Sequence, residues 1–225
     1  FDGNNNETIR NKYAEIKEFL ANKKEGDMDN RDILTIKGLI RRGEARTSCT
    51  FNQIPLSRCH FLDLPFYETG KIEKNPISEA DIEIVLKLLR EVQPHQIYVA
   101  GDLADPHGTH RVCTDAVFAA IDAEKDNDAE WLKECRIWMY RGAWAEWEIE
   151  NIEMAVPFSP EELRAKRNSI LKHQSQMESA PFLGNDERLF WQRSEDRNRG
   201  TASLYNQLGL ACYEAMEAFV EYKPL

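Results

Sequence analysis

The hydrophobic rhythm of the chain changes partway along. Over residues 7–24, Ile9, Tyr13, Ile16, Phe19 and Leu20 recur at helical spacing, and over 31–42 Ile33, Ile36, Leu39 and Ile40 do the same. Gly43 interrupts the second run, and a short third helix is expected over 44–51. Residues 59–64 form the first apolar run of strand length, closed by Pro65. Ser78 is a cap for the next helix, whose stripe is Ile82, Val85, Leu86 and Leu89 and which stops at Pro94. A strand follows at 96–100, then a helix through 117–121, a strand at 136–140 and an alternating strand at 149–156. Ser159-Pro160-Glu161-Glu162 is a capping box opening a helix to about Ser175. Residues 187–193 and 203–221 are expected to be helical. Strand–helix alternation through the middle predicts an α/β fold with a mostly parallel sheet and flanking helices. No internal repeat or Pro/Ser-rich linker divides the chain, so residues 1–225 are predicted to form a single domain.

Composition narrows the partners. A chain of 225 residues with 42% hydrophobic residues can bury a core. Its net charge of −10, with no basic run to offset it, would repel a nucleic-acid backbone, so no nucleic-acid partner is expected. No apolar stretch approaches the roughly 20 residues that span a bilayer, and no membrane partner is expected. The five cysteines (49, 59, 113, 135 and 212) include no C-x-x-C pair and read as free thiols, which fits a reducing, cytoplasmic setting. The opening Phe1-Asp2-Gly3-Asn4-Asn5-Asn6 has no initiator Met and reads as the interior of a longer polypeptide.

The chemistry concentrates after the strand at 96–100. There Gly101-Asp102 leads into Asp105-Pro106-His107-Gly108-Thr109-His110. Asp105 is a good N-cap and Pro106 suits the first helical position, so a helix is expected to start here. Spacing of i, i+3 points His107 and His110 roughly the same way, at the carboxyl end of a strand, where open α/β sheets bind ligands. The positive end of the helix also disfavours imidazolium, leaving a ring nitrogen available for a metal. Two histidines at a helix start, one of them capping, would be the bland explanation; the strand–loop–helix context favours a site. Asp105 has two readings, as a cap or as the carboxylate that orients an imidazole. Asp102 is suited to a sugar hydroxyl, though a turn-stabilising role is favoured. His60 reads as a packed or edge residue, and His95, after a helix end, as a surface one. Trp138, Trp144 and Trp147 could stack on a sugar, although strand aromatics more often pack. Arg141 and Arg188 are candidate phosphate contacts that nothing else in the sequence singles out.

The Asp-Pro-His-x-x-His segment resembles the second signature, His-Pro-Asp-His, of the LmbE/PIG-L family of zinc-dependent N-deacetylases. The resemblance extends to Arg41-Arg42-Gly43-Glu44-Ala45-Arg46 before Cys59-His60-Phe61-Leu62-Asp63-Leu64-Pro65. It continues to Glu162-Leu163-Arg164-Ala165-Lys166-Arg167 and to His173-Gln174-Ser175-Gln176, which is similar to the family's late H-x-S-Q signature. Phe66-Tyr67-Glu68-Thr69-Gly70 and the acidic carboxyl-terminal part are similar to the branch fused behind a glucosamine-6-phosphate deaminase-like domain in bacteria. The resemblance implies a Rossmann-like sheet of which this chain supplies the carboxyl-terminal two thirds, the first strands lying outside it. It implies zinc, with His110 as a ligand and His107 as a catalytic imidazole, and an amino sugar as substrate. The family's H-x-D-D signature, which brings a second His, a ligating Asp and the general base, occurs nowhere in these residues. For His173 and Gln176 a packing or capping role is favoured.

Two functions of different class follow. One is metal-dependent N-deacetylation of an N-acetylglucosamine-type sugar as part of a larger protein, the chain alone being inactive because a catalytic zinc needs about three protein ligands. The other is a non-catalytic sugar-binding or interaction domain attached to a deaminase-like domain. A different hydrolase has little support, since G-x-S-x-G, the P-loop and G-x-G-x-x-G are all missing. The expected partners are a small amino sugar and the missing amino-terminal segment or deaminase-like domain of the same polypeptide.

Overall fold

A computed structural model describes residues 6–67, 74–101, 108–142, 145–177, 187–209 and 211–223. In chain order these form α1 (Asn6–Asn22), α2 (Arg31–Phe51), α3 (Glu79–Val92), β1 (Gln96–Ala100), α4 (Thr109–Asp126), the single-turn α5 (Glu130–Lys133), β2 (Arg136–Tyr140), β3 (Met154–Phe158), α6 (Pro160–Ile170), α7 (Phe190–Gln207) and β4 (Ala215–Tyr222). Short 3-10 turns lie at Leu56–Arg58, Ile149–Asn151 and Gln174–Gln176.

The α/β class with flanking helices is as expected, but the sheet is mixed rather than mostly parallel. Its order is β1-β2-β4-β3; β1 and β2 are parallel, while β4 runs antiparallel to both β2 and β3. The change traces to the carboxyl-terminal residues. Ala215-Met216-Glu217-Ala218 carries helix-forming side chains, and the pattern predicts a helix there. α7 instead stops at Gln207, Gly209 takes φ +79°, and the chain returns as β4 between β2 and β3. Ladder bonds on both sides of β4 outweigh a propensity of tenths of a kcal/mol per residue.

Four other expectations are corrected. Residues 59–64 are extended at Cys59 but join no ladder among the described residues, and Asp63 takes φ +51°, which breaks a regular strand. Gly43 does not interrupt α2, which runs unbroken through it. The helix carrying His110 starts at Thr109, with Gly108 at φ +68° as its N-cap, rather than at Asp105-Pro106. The last strand before α6 is also shorter than predicted, its first part being the turn at Ile149–Asn151.

The inner faces of β1 and β2 and the helix stripes meet in one core. Val85, Leu86 and Leu89 of α3 and Ala116, Ala120 and Ile121 of α4 pack with Val99 of β1 and Ile137 of β2. α3 is fastened below by Asp81, a fully buried carboxylate. It accepts from the Ser78 hydroxyl and N–H (2.6 and 2.8 Å) and from the Phe66 N–H (2.9 Å), so the cap of α3 also anchors the loop after Cys59. Burial pushes this carboxyl up, and those hydrogen bonds outweigh it, leaving it below the ordinary aspartate range. On the other side, α7 lies against β4, with buried Asn198 donating to the Met216 carbonyl at 2.7 Å.

Candidate functional site

The parallel β1–α4–β2 crossover brings the end of β1 and the first turn of α4 to the carboxyl edge of the sheet. The Thr114 hydroxyl donates to the Ala100 carbonyl at 2.7 Å, and the Gly101 N–H to the Tyr140 carbonyl at 2.8 Å. Both bonds pin the strand end. Gly101 is buried under close contacts: a Cβ there would stand 2.8 Å from both the Met139 Cβ and the Trp147 ring. Trp147 therefore floors this corner, and the Arg141 guanidinium lies 3.9 Å from its ring centre.

Beneath that floor is a charged network. Arg197, 5% exposed, donates to Glu146 (2.7 Å), to the Gly142 carbonyl (2.7 Å) and to Glu217. Lys166 donates to Glu217 at 2.5 Å and to Asn198 at 2.6 Å, and the Thr201 hydroxyl reaches Glu146 at 2.6 Å. In the β2–β4 register Tyr140 faces Phe219, so Glu217 lies just past the carboxyl end of β2, on the same edge as Gly101. Burial pushes Glu217 up, but the Lys166 and Arg197 cations more than reverse it, so Glu217 is held ionised below its ordinary range. Burial lowers the Lys166 amine despite its pairing with Glu217.

His110 is the second residue of α4 and is exposed at this edge. Asp102, Asp105 and His107 lie outside the described residues, as does Trp144. Among the described residues no group of three or more His, Cys, Asp or Glu could hold a metal ion. His110 alone does not make a catalytic zinc site, and the described residues do not complete one.

Of the other residues considered, Trp138 is buried and packs within the sheet. Arg188 pairs with Asp196 on the surface at 2.6 Å. The His173–Gln176 segment is tied to α2: Ser175 donates its N–H and hydroxyl to Glu44 at 2.7 and 2.6 Å. Two segments that carry the family resemblance thus meet through that one carboxylate. Sequence reasoning missed Glu44, Glu146, Arg197 and Glu217. Each is an ordinary charged residue in the sequence, and the partners that give it a role are 20 to 131 residues away.

A second feature borders the site. Between the loop carrying Phe61, Leu64 and Tyr67 and the outer side of β1 (Ile97, Val99) lies an apolar groove of about 520 Å³. β1 has one ladder neighbour, β2, among the described residues.

No family model matches the chain. It is 82% identical over all 225 residues to a "glucosamine-6-phosphate deaminase-like protein" of Bacteroides thetaiotaomicron, and spans about a third (34%) of that protein's length. A solved structure of the conserved protein TT1542 from Thermus thermophilus aligns with TM-score 0.53 and 16% identity, over 89% of this chain and 77% of that one. This likeness shows a shared α/β fold. A deacetylase of the teicoplanin biosynthesis pathway aligns with TM-score 0.48 and 16% identity, over 83% of this chain and 75% of that one.

Proposed function

We propose that this chain is the carboxyl-terminal part of a LmbE/PIG-L-like domain that removes the acetyl group from an N-acetylglucosamine-type sugar, within a longer polypeptide. The observation that carries the reading is His110 in the first turn of α4, at the carboxyl edge of β1 and beside the Gly101–Trp147 corner. The name of the Bacteroides relative, with its amino-sugar reference, agrees with that substrate class. In this reading His110 is one zinc ligand and His107 the imidazole that acts on the substrate, with Asp105 and Asp102 orienting or binding around them. The remaining metal ligands come from outside the described residues. The groove along β1 is where further strands of the same polypeptide insert, and their carboxyl ends would then arrive at His110.

The test uses the longer polypeptide. Bound zinc is measured by elemental analysis, and amine release is assayed on N-acetylglucosamine and its 6-phosphate. His110→Ala is expected to lose stoichiometric zinc. His107→Ala should keep zinc and lose about 10²–10³-fold in turnover. Zinc content unchanged in His110→Ala would remove this residue from the site. The alternative is a non-catalytic sugar-binding or interaction domain attached to a glucosamine-6-phosphate deaminase-like domain. Sugar binding by calorimetry with no amine release from the intact polypeptide would decide for it.

A further inference from the structure

The carboxyl-terminal turn of α2 and the residue that opens the 59–64 segment each carry a cysteine, and the two thiols face each other. Cys49 Sγ lies 3.7 Å from Cys59 Sγ, and both residues are half-buried. The loop between them is folded back tightly: the Ile54 N–H donates to the Cys49 carbonyl at 2.9 Å, and Gln53 takes φ +60°. A disulfide requires sulfurs about 2.05 Å apart, so closing the pair calls for a shift of under 2 Å. The other three cysteines have no sulfur contact of this kind among the described residues.

We propose that Cys49 and Cys59 are a thiol pair that closes to a disulfide under oxidation by a low-molecular-weight disulfide, fixing one wall of the groove beside β1. The chemistry balances. One cysteine thiolate attacks glutathione disulfide, forming a mixed disulfide and releasing one glutathione. The second cysteine, after losing its proton, attacks the protein sulfur of that mixed disulfide and releases the second glutathione. Two protein thiols are oxidised and one glutathione disulfide is reduced.

Burial, and then the hydrogen bond to Cys59, raise the Cys49 thiol above its ordinary range. Cys59 opens the segment that supplies Phe61, Leu62 and Leu64 to the groove, and the far end of that segment is already held by Phe66 and Asp81. The disulfide would thus tie the near end of the wall to α2 while Asp81 holds the far end. The pair serves the groove whether or not the polypeptide is a deacetylase.

The experiment treats the longer polypeptide with glutathione disulfide under native conditions and maps it by trypsin and mass spectrometry. The expected product joins peptide Thr47–Arg58 to peptide Cys59–Lys71, with a mass two hydrogens below the sum of the reduced peptides. Linking in the native protein should reach the same extent at an at least tenfold lower oxidant-to-glutathione ratio than in urea, because the fold presents the sulfurs together. Cys49→Ser should accumulate glutathione on Cys59, and Cys59→Ser should accumulate it on Cys49, since neither variant has a second thiol to release it. Hydrogen exchange over residues 59–64 should slow in the oxidised form. No linked peptide under native conditions, or linking favoured equally in urea, would overturn the proposal.

Discussion

The sheet has two edges among the described residues, and they are built differently. The outer strand β3 reads Met-Ala-Val-Pro-Phe, and Pro157 has no N–H to offer a further strand. α6 starts directly after it, and the Lys166 amine sits 5.4 Å from the Phe158 ring centre. β1, at the other edge, reads Gln-Ile-Tyr-Val-Ala, with neither a proline nor a charge, and it lines an apolar groove together with side chains of α3 and α4. Proteins blunt edges that must stay unpaired. One edge here carries that protection and the other does not. The largely buried ionic network sits on the protected side and fastens α6, α7 and β4 together. The unprotected side ends in loops and a slot. The two halves therefore differ in self-sufficiency, and substitutions should separate them.

The largest effect is expected in the finished half. Arg197→Ala leaves Glu146 and Glu217 buried without their shared cation, and should cost about 3–5 kcal/mol in urea unfolding. A loss below about 1 kcal/mol would mean the network does not organise that half. Gly101→Ala comes next, at about 1–3 kcal/mol, because the new methyl must displace the Trp147 ring or the β2 backbone. A change in Trp fluorescence of the folded protein should accompany it.

Asp81→Asn tests the anchor of the open half, where α3 meets the loop that lines the groove. It should cost about 1–3 kcal/mol at neutral pH, through the bonds from Ser78 and Phe66. The folded carboxyl lies below its ordinary value, so its stabilisation is complete above the unfolded pKa of about 3.9 and is lost as pH falls through the folded one. Unfolding midpoints of the wild-type and Asp81→Asn proteins should therefore converge in acid and separate above about pH 5. A gap that stays constant down to pH 2 would assign the loss to packing. The smallest effect belongs to the open edge. Tyr98 is half exposed, its ring 5.5 Å from that of Phe219, and Tyr98→Ala should cost under about 1 kcal/mol in the isolated chain. A larger cost in the longer polypeptide than in the isolated chain would show that β1 gains a neighbour there.

How far the sequence could be read depended on the range of the interactions involved. β1 and β2 fall where the apolar runs predict them, and α3 and α6 begin after the serines that cap them, because a strand's apolar run and a helix cap are settled by residues within one turn or a few positions. The placement of His110 at the start of a helix after β1 was equally local, although Gly108 rather than Asp105 caps that helix. The network around Arg197 was not legible, since its members are spread from Glu146 to Glu217 and only Lys166 falls in a segment that carries the family resemblance. The contact of Glu44 with Ser175 was not legible either: both lie in segments that carry the resemblance, but 131 residues separate them.

By itself, then, the sequence determined the helices with clear stripes and caps, two of the four strands, and the position of one imidazole behind a strand. Periodicity and capping act over a few residues, and no distant partner can readily undo them. Only the tertiary structure decided that Ala215–Tyr222 is a strand, that it runs antiparallel between β2 and β3, and that residues 59–64 remain outside any ladder among the described residues. Those outcomes depend on which neighbour offers hydrogen bonds and apolar surface once the chain is compact. A propensity difference of tenths of a kcal/mol is overruled there by a row of ladder bonds and a buried face.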